Sequence, residues 1–234
     1  MTDDFLADNI KEIHRRIVSA AMRAGREPDA VRLIAVSKNV DAGTVVRAIE
    51  NGVRDLGESR IQEASEKIPL CAARTTGSLL VWHLIGHLQK NKARAAVGLF
   101  DLIHSVDSAG LAEEIERHAA RAGKIQRVLV QVRISEEETK HGIAGDGLLG
   151  LLDVLRGMEH IAVEGLMGIP RFFENPEDSR PWFRLLRELR DAAVDKGFRL
   201  PELSMGMSHD FEVAVEEGAT MVRVGTAIFG ERRV

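Results

Sequence analysis

The feature that most constrains this chain is an alternation. Eight short apolar runs, at 33–36, 53–57, 81–85, 102–106, 127–134, 161–167, 202–204 and 221–225, are separated by segments with helical spacing. Apolar runs of this length, rich in β-branched residues, read as strands buried on both faces, the kind found in parallel sheets. Leu33-Ile34-Ala35-Val36 and Val128-Leu129-Val130 are the clearest. Helices between successive parallel strands imply right-handed crossovers. Eight such repeats in 234 residues fit one closed barrel, a fold that runs as a single unit at this length. An open doubly wound sheet is the rival. Its glycine-rich fingerprint is missing after the first run, where the chain reads Ser37-Lys38-Asn39-Val40. The expected architecture is α/β, a single TIM-type (β/α)8 barrel over residues 1–234.

Ahead of the first run, Leu6, Ile10, Ile13, Ile17 and Ala21 recur at the spacing of one helical face, with Gly25 and Pro28 as stop signals. Only residues 226–234 follow the last run, too few for a full eighth helix. The N-terminal helix is therefore expected to complete the outer ring. Asp41 is placed to cap a helix over 44–50. Ser59, with Gln62 three residues on, reads as a capping box for a helix over 60–68, and 74–78 as loop. The polar segments 135–147 and 168–181 have the length of active-site loops.

The charge balance narrows the partners. Charged residues make up 29% of the chain, yet the formal net charge is only -4, so no global field favours nucleic acid or an anionic membrane surface. The lone Cys71 excludes an intramolecular disulfide and a cysteine-rich metal site. No apolar run approaches the roughly 18 residues that span a bilayer. The start Met1-Thr2-Asp3-Asp4 lacks the basic and apolar regions of a signal peptide, so a cytoplasmic protein is expected. The chain contains no tyrosine, which closes any mechanism that needs a tyrosine acid or base.

In such a barrel the chemistry gathers at the carboxyl ends of the strands. Lys38 stands at the end of the first run, where an amine can act as a nucleophile and form a Schiff base. The bland alternative is a strand-end lysine that snorkels to solvent. Ser204-Met205-Gly206-Met207-Ser208-His209-Asp210 ends the seventh run with a glycine and polar caps, and Arg223-Val224-Gly225-Thr226 ends the eighth. Loops after these two strands commonly cradle phosphate, because backbone amides there point at an anion. Strand alternation puts Val222 and Val224 on one side, with Met221, Arg223 and Gly225 on the other. A buried guanidinium needs a partner, so Arg223 either bridges to Glu58 or another acid, or binds a ligand acceptor. His83 and His87 could suggest a metal pair, but no cysteine or acidic ligand accompanies them, and no metal is expected. Lys90, Lys92 and Arg94 form either a second anion site or a solvated face. Met167, Met205 and Met207 read as rim packing. Residues 136–138 read as a solvated acidic loop, with Lys140 behind them near any ligand.

Ala35-Val36-Ser37-Lys38, Gly57-Glu58, Gln62-Glu63, the block from Trp82 to Lys92, Lys140-His141-Gly142, Gly165-Leu166-Met167, Ser204 to Asp210 and Met221 to Gly230 together resemble the pyridoxal phosphate homeostasis protein family (YggS/PROSC). The similarity runs almost end to end. It implies one PLP-binding barrel domain over 1–234, like the barrel half of alanine racemase without its second domain. By that resemblance Lys38 carries pyridoxal 5'-phosphate (PLP) as a Schiff base and Arg223 faces the pyridine nitrogen. Ser204, Ser208, Gly225 and Thr226 hold the phosphate. An arginine in that place disfavours ring protonation and so weakens the electron sink that most PLP chemistry uses.

The implied function is PLP homeostasis: holding the reactive aldehyde and supplying it to apoenzymes, with free amino acids as further partners and without robust catalysis. The alternative is a weakly active amino-acid racemase, against which the missing tyrosine counts. Two positions depart from the family pattern. Ser59 stands where asparagine is usual, and Val40 where a second lysine often follows the PLP lysine.

Overall fold

The computed structural model describes residues 3–75, 77, 79–135 and 141–230. Its strands are β1 (Arg32–Val36), β2 (Asp55–Glu58), β3 (Val81–Leu84), β4 (Leu102–Val106), β5 (Gln126–Val132), β6 (Ile161–Gly168), β7 (Glu202–Met207) and β8 (Met221–Val224). Each pairs in parallel with the next, and β8 pairs with β1, so the sheet closes into the expected barrel. The helices are α1 (Asp3–Arg23), α2 (Ala42–Glu50), α3 (Ile61–Arg74), α4 (Ala93–Leu99), α5 (Ala109–Arg121), α6 (Leu148–Arg156), α7 (Arg180–Asp195), α8 (Phe211–Glu216) and the single turn α9 (Thr226–Phe229). No described helix is long and apolar enough to cross a membrane.

Alternation along the strands divides the core into two layers. On β1, Leu33 and Ala35 face outward into the large layer under the helices, while Ile34 faces the barrel axis. Ile34, Leu102, Leu129, Met167 and Met221 form the small inner apolar cluster. On β8, Val222 and Val224 likewise join the outer layer and Met221 the inner one, as the alternation requires. The remaining inward positions are strongly polar. His83, His104, Ser204 and Arg223 are all buried.

Helix α1 fills the gap left by the short α9. Leu6, Ile10, Ile13 and Ile17 are buried, α1 packs on α8, α9 and α2, and Asn9 Nδ2 donates to Ile228 O at 2.9 Å. Asp41 caps α2 as expected, its carboxylate accepting from Thr44 N at 3.0 Å.

Two local expectations change. Ser59 is not a helix cap: α3 starts after Arg60, which makes no side-chain cap bond, and continues through Pro69 to Arg74. Tertiary packing outweighs the proline penalty here, because Ala64, Lys67 and Cys71 are all buried on one face. β7 extends to Met207 rather than ending at Ser204, with a register shift against β8. Gly206 allows this. Its φ is +89°, and a Cβ there would stand 2.6 Å from Ala214 Cβ in α8.

If α1 is part of the ring and not an appendage, its buried face carries stability. Ile13→Ala removes a side chain that is 1% exposed and should cost roughly 2–5 kcal/mol in urea unfolding. Val18→Ala, at a position 39% exposed, should stay within about 0.5 kcal/mol. Equal costs would show that the helix does not close the ring.

Candidate functional site

Lys38 follows β1 between two pinned residues. On one side, Ser37 N donates to Gly57 O at 2.9 Å and Ser37 Oγ donates to Glu58 Oε1 at 2.7 Å. Lys67 Nζ, rising from α3, donates to Ser37 O at 2.6 Å, to Glu58 Oε1 at 2.6 Å and to Glu63 Oε1 at 2.7 Å. On the other side, Asn39 N donates to Glu63 Oε1 at 2.5 Å, and Asn39 holds a left-handed φ of +58°. Glu58 is fully buried, and desolvation pushes its carboxyl upward against the opposing pull of Lys67 and Ser37. The backbone carrying Lys38 is thus fixed while its side chain is exposed.

That side chain lines a cavity of about 320 Å³ at the carboxyl end of the barrel, shared with Arg223, Ser208, Gly225 and Thr226. Closure of the sheet makes this possible: Ile34 registers with Arg223 and Ala35 with Val224, so the ends of β1 and β8 are neighbours. Ser208 Oγ accepts from Gly225 N at 3.1 Å and from Ala227 N at 3.4 Å. Two backbone amides therefore converge on the Ser208 hydroxyl, which itself lines the cavity beside Gly225 and Thr226. Asp210 shapes the same turn, accepting from Met207 N at 2.7 Å and from Ser179 Oγ at 3.3 Å.

Arg223 forms the cavity floor. It is 4% exposed, and burial lowers its pKa to about 10, which leaves it a cation at neutral pH. The expected alternative of a bridge to Glu58 is not what the barrel contains, since Glu58 is engaged by Lys67 and Ser37. Arg223 Nη1 donates instead to Ser204 Oγ at 2.6 Å and Nη2 to Gly168 O at 3.1 Å. Ser204 is the one candidate residue set apart. It is fully buried beneath Arg223 and does not line the cavity, so the structure brings together Lys38, Ser208, Arg223, Gly225 and Thr226.

The other candidates separate. His83 points into the barrel, 2.9 Å from His104 and 3.0 Å from Asp55, and so is no partner for His87. His87 stacks on His141 with centroids 3.6 Å apart, and Asp107 lies 4.0 Å from its ring. Parallel rings that close cannot aim in-plane lone pairs at one ion. Lys90, Lys92 and Arg94 are exposed, and a wider cleft of about 650 Å³ beside the mouth takes in Lys92, Arg60 and His87. That cleft is larger, but it holds neither Lys38 nor the converging amides. Gly86, just before His87, is a glycine of necessity, since a Cβ there would stand 2.2 Å from Ser59 O. Met167 belongs to the inner cluster and Met205 to the outer layer, which leaves Met207 at the rim. Lys140 and residues 136–138 lie outside the described residues. Sequence reasoning missed Lys67, Asp55 and His104; a histidine two places after Leu102 on the same inward face was the available signal for the last.

Residues 6–233 match the family described as alanine racemase, N-terminal domain. A protein from Aquifex aeolicus named pyridoxal phosphate homeostasis protein is 43% identical over 227 residues, covering 97% of this chain and 98% of its own. PipY of Synechococcus elongatus, solved with PLP bound, is 40% identical with a TM-score of 0.79, covering 93% of this chain and all of its own. An alanine racemase from Clostridium difficile shares the fold at a TM-score of 0.73 and 18% identity; the match takes in 99% of this chain but 57% of the racemase.

His104 gives the site a pH signature. Burial first, then the neighbouring His83 and the cations Arg223, Arg32 and Arg127, hold its pKa well below 6.5. The unfolded chain therefore takes up a proton near pH 6.5 that the folded barrel refuses, and stability falls as the pH drops below that value. Urea unfolding of wild type and His104→Gln between pH 8 and pH 5 should show the gap between them shrinking as acid is added. A constant gap would mean that His104 titrates normally in the barrel.

Proposed function

The chain belongs to the pyridoxal phosphate homeostasis protein family, and from that premise we propose that it binds PLP at the barrel mouth, keeps the free aldehyde low and supplies the cofactor to apoenzymes. One observation carries the reading. An exposed amine at Lys38, a buried cation at Arg223 and the Ser208, Gly225 and Thr226 turn residues share one cavity. These match in kind the three recognition features of PLP, namely an aldehyde, a ring nitrogen acceptor and a phosphate. When bound, PLP supplies an aldehyde that captures amines and a ring that withdraws electrons from them.

On this reading Lys38 holds the cofactor, Arg223 donates to the ring nitrogen, and Gly225, Thr226 and Ser208 meet the phosphate. Ser204 supports Arg223 from below. Ser59 lines the cavity and can take a hydrogen bond there, whereas Val40 packs against the outer core and offers no second amine. Free amino acids can reach the mouth because Lys38 and Thr226 are exposed. A lone buried thiol, Cys71, suits a reducing compartment, and we place this work in the cytoplasm.

The racemase alternative fares worse on the residues themselves. A guanidinium stays protonated and can only donate, so Arg223 favours an unprotonated ring and weak electron withdrawal. A second proton-transfer base of the tyrosine kind is absent from the sequence.

Borohydride reduction of the PLP-loaded protein, followed by peptide mapping, should place the phosphopyridoxyl group on Lys38 and lose it in Lys38→Ala. Label found only on other lysines would sink the binding reading. Incubation with amino acids in deuterated water separates carrier from racemase. Slow exchange of the α-proton is expected, and rapid exchange that disappears in Lys38→Ala would restore the racemase.

A further inference from the structure

Below Arg223 a file of polar side chains crosses the barrel interior, and with Asp55 ionised and both rings neutral its hydrogen bonds match in one direction. Arg223 Nη1 lies 2.6 Å from Ser204 Oγ, and a guanidinium can only donate. Ser204 Oγ accepts there and keeps its own proton for its other neighbour, His104 Nδ1 at 2.9 Å. The ionised Asp55 carboxylate at the far end calls for a proton on His83 Nε2, so a neutral His83 accepts at Nδ1 and the proton of His104 lies on Nε2, 2.9 Å away. His83 Nε2 lies 3.0 Å from Asp55 Oδ1. An ionised carboxylate only accepts, so the chain closes with every link matched. The file starts at Asp55, the first residue of β2 and thus at the amino end of the barrel, and finishes at the mouth.

Other protonation states break it. A charged His104 would donate to a Ser204 oxygen that already accepts from Arg223, setting two cations against one hydroxyl in a buried interior. A charged His83 would donate to His104 Nε2 and push the His104 proton to Nδ1, so that Ser204 Oγ would accept twice and its own proton would find no acceptor in the file. Both rings are fully buried, so bulk solvent does not screen either fault.

We propose that Ser204, His104, His83 and Asp55 are positioning residues that fix the Arg223 guanidinium through this one-way chain. The two neutral rings pass the pull of the Asp55 carboxylate to the Ser204 oxygen while keeping that carboxylate away from the cation. Arg223 is thereby oriented by neutral partners, while the Asp210 carboxylate acts on its charge only through space. Its bonds to Ser204 and Gly168 use two of five N–H donors, and its charge remains available to an acceptor at the mouth. The effect on PLP rests on the binding reading above; the tautomers do not.

Two-bond ¹H–¹⁵N NMR of the histidine-labelled protein, without and with added PLP, tests the chain directly. His83 and His104 should both appear as neutral Nε2–H rings at pH 7 in either state. A charged ring, or an Nδ1–H tautomer at either position, overturns the chain whatever PLP does. Asp55→Ala removes the terminal acceptor and should disturb the His83 tautomer, shift the absorbance of bound PLP and weaken its binding by about tenfold, the scale of one net hydrogen bond. Asp55→Asn, whose amide oxygen can still accept from His83, should recover most of that loss. If Asp55→Ala leaves absorbance and affinity unchanged, the chain does not position Arg223. Should borohydride label avoid Lys38, the binding reading fails while the tautomers of the PLP-free protein still decide the chain.

Discussion

Everything at the mouth depends on the seam between β1 and β8. Their pairing, Arg32 with Met221 through Ala35 with Val224, sets the amine-bearing end of the first strand beside the arginine and glycine of the last. Residues from opposite ends of the sequence meet only if the sheet closes. Closing so long a loop carries an entropic cost that local contacts cannot offset, so the seam needs support from outside it. Helix α1 gives that support by lying on α8 and α9, with Asn9 tied to Ile228 O next to the strand-eight turn. At the base of the seam, Arg32 also pairs with Glu202 of β7.

The interior of the barrel is unusual in how much polarity it accepts. Desolvating a charge costs several kcal/mol unless hydrogen bonds replace the lost water. Two separate devices meet that demand here. Under β1, Lys67 is surrounded by the Glu58 and Glu63 carboxylates and the Ser37 carbonyl. Beneath β8, Arg223 has neutral partners and a carbonyl, with the nearest carboxylate of its file two rings away at Asp55. The first device neutralises its cation and fixes backbone. The second leaves its cation charged, which is the condition for using it on a ligand.

This contrast explains what the sequence made legible. Strand number, barrel closure, the role of α1 and the position of Lys38 all follow from local periodicity, which one-dimensional patterns record well. The Ser59 capping box failed because a motif of two residues competes with packing along the whole of α3, which runs past Pro69 to keep Lys67 and Cys71 buried. Ser204 reads as a rim serine only while β7 is assumed to stop there; the strand in fact continues to Met207, which drops Ser204 below the mouth. Lys67 and Asp55 carry no local signature, and for His104 the strand alternation shows an inward face but not a partner. Their meaning lies in partners on other strands and helices, between 9 and 100 residues away in sequence.

Geometry at the mouth also bears on why holding a cofactor and consuming it are different tasks. A catalyst must exclude water and present an acid or base to the reacting atom, so its nucleophile is enclosed. Here Lys38 and Thr226 are exposed, while rigidity is confined to the floor and to the backbone on either side of the lysine. Among the described residues, such a site can orient a ligand from below and leaves the Lys38 and Thr226 side open to solvent. An open face is a poor place to stabilise a transition state. Among the described residues, an incoming amine can approach Lys38 from solvent, the condition that the proposed capture and release would need.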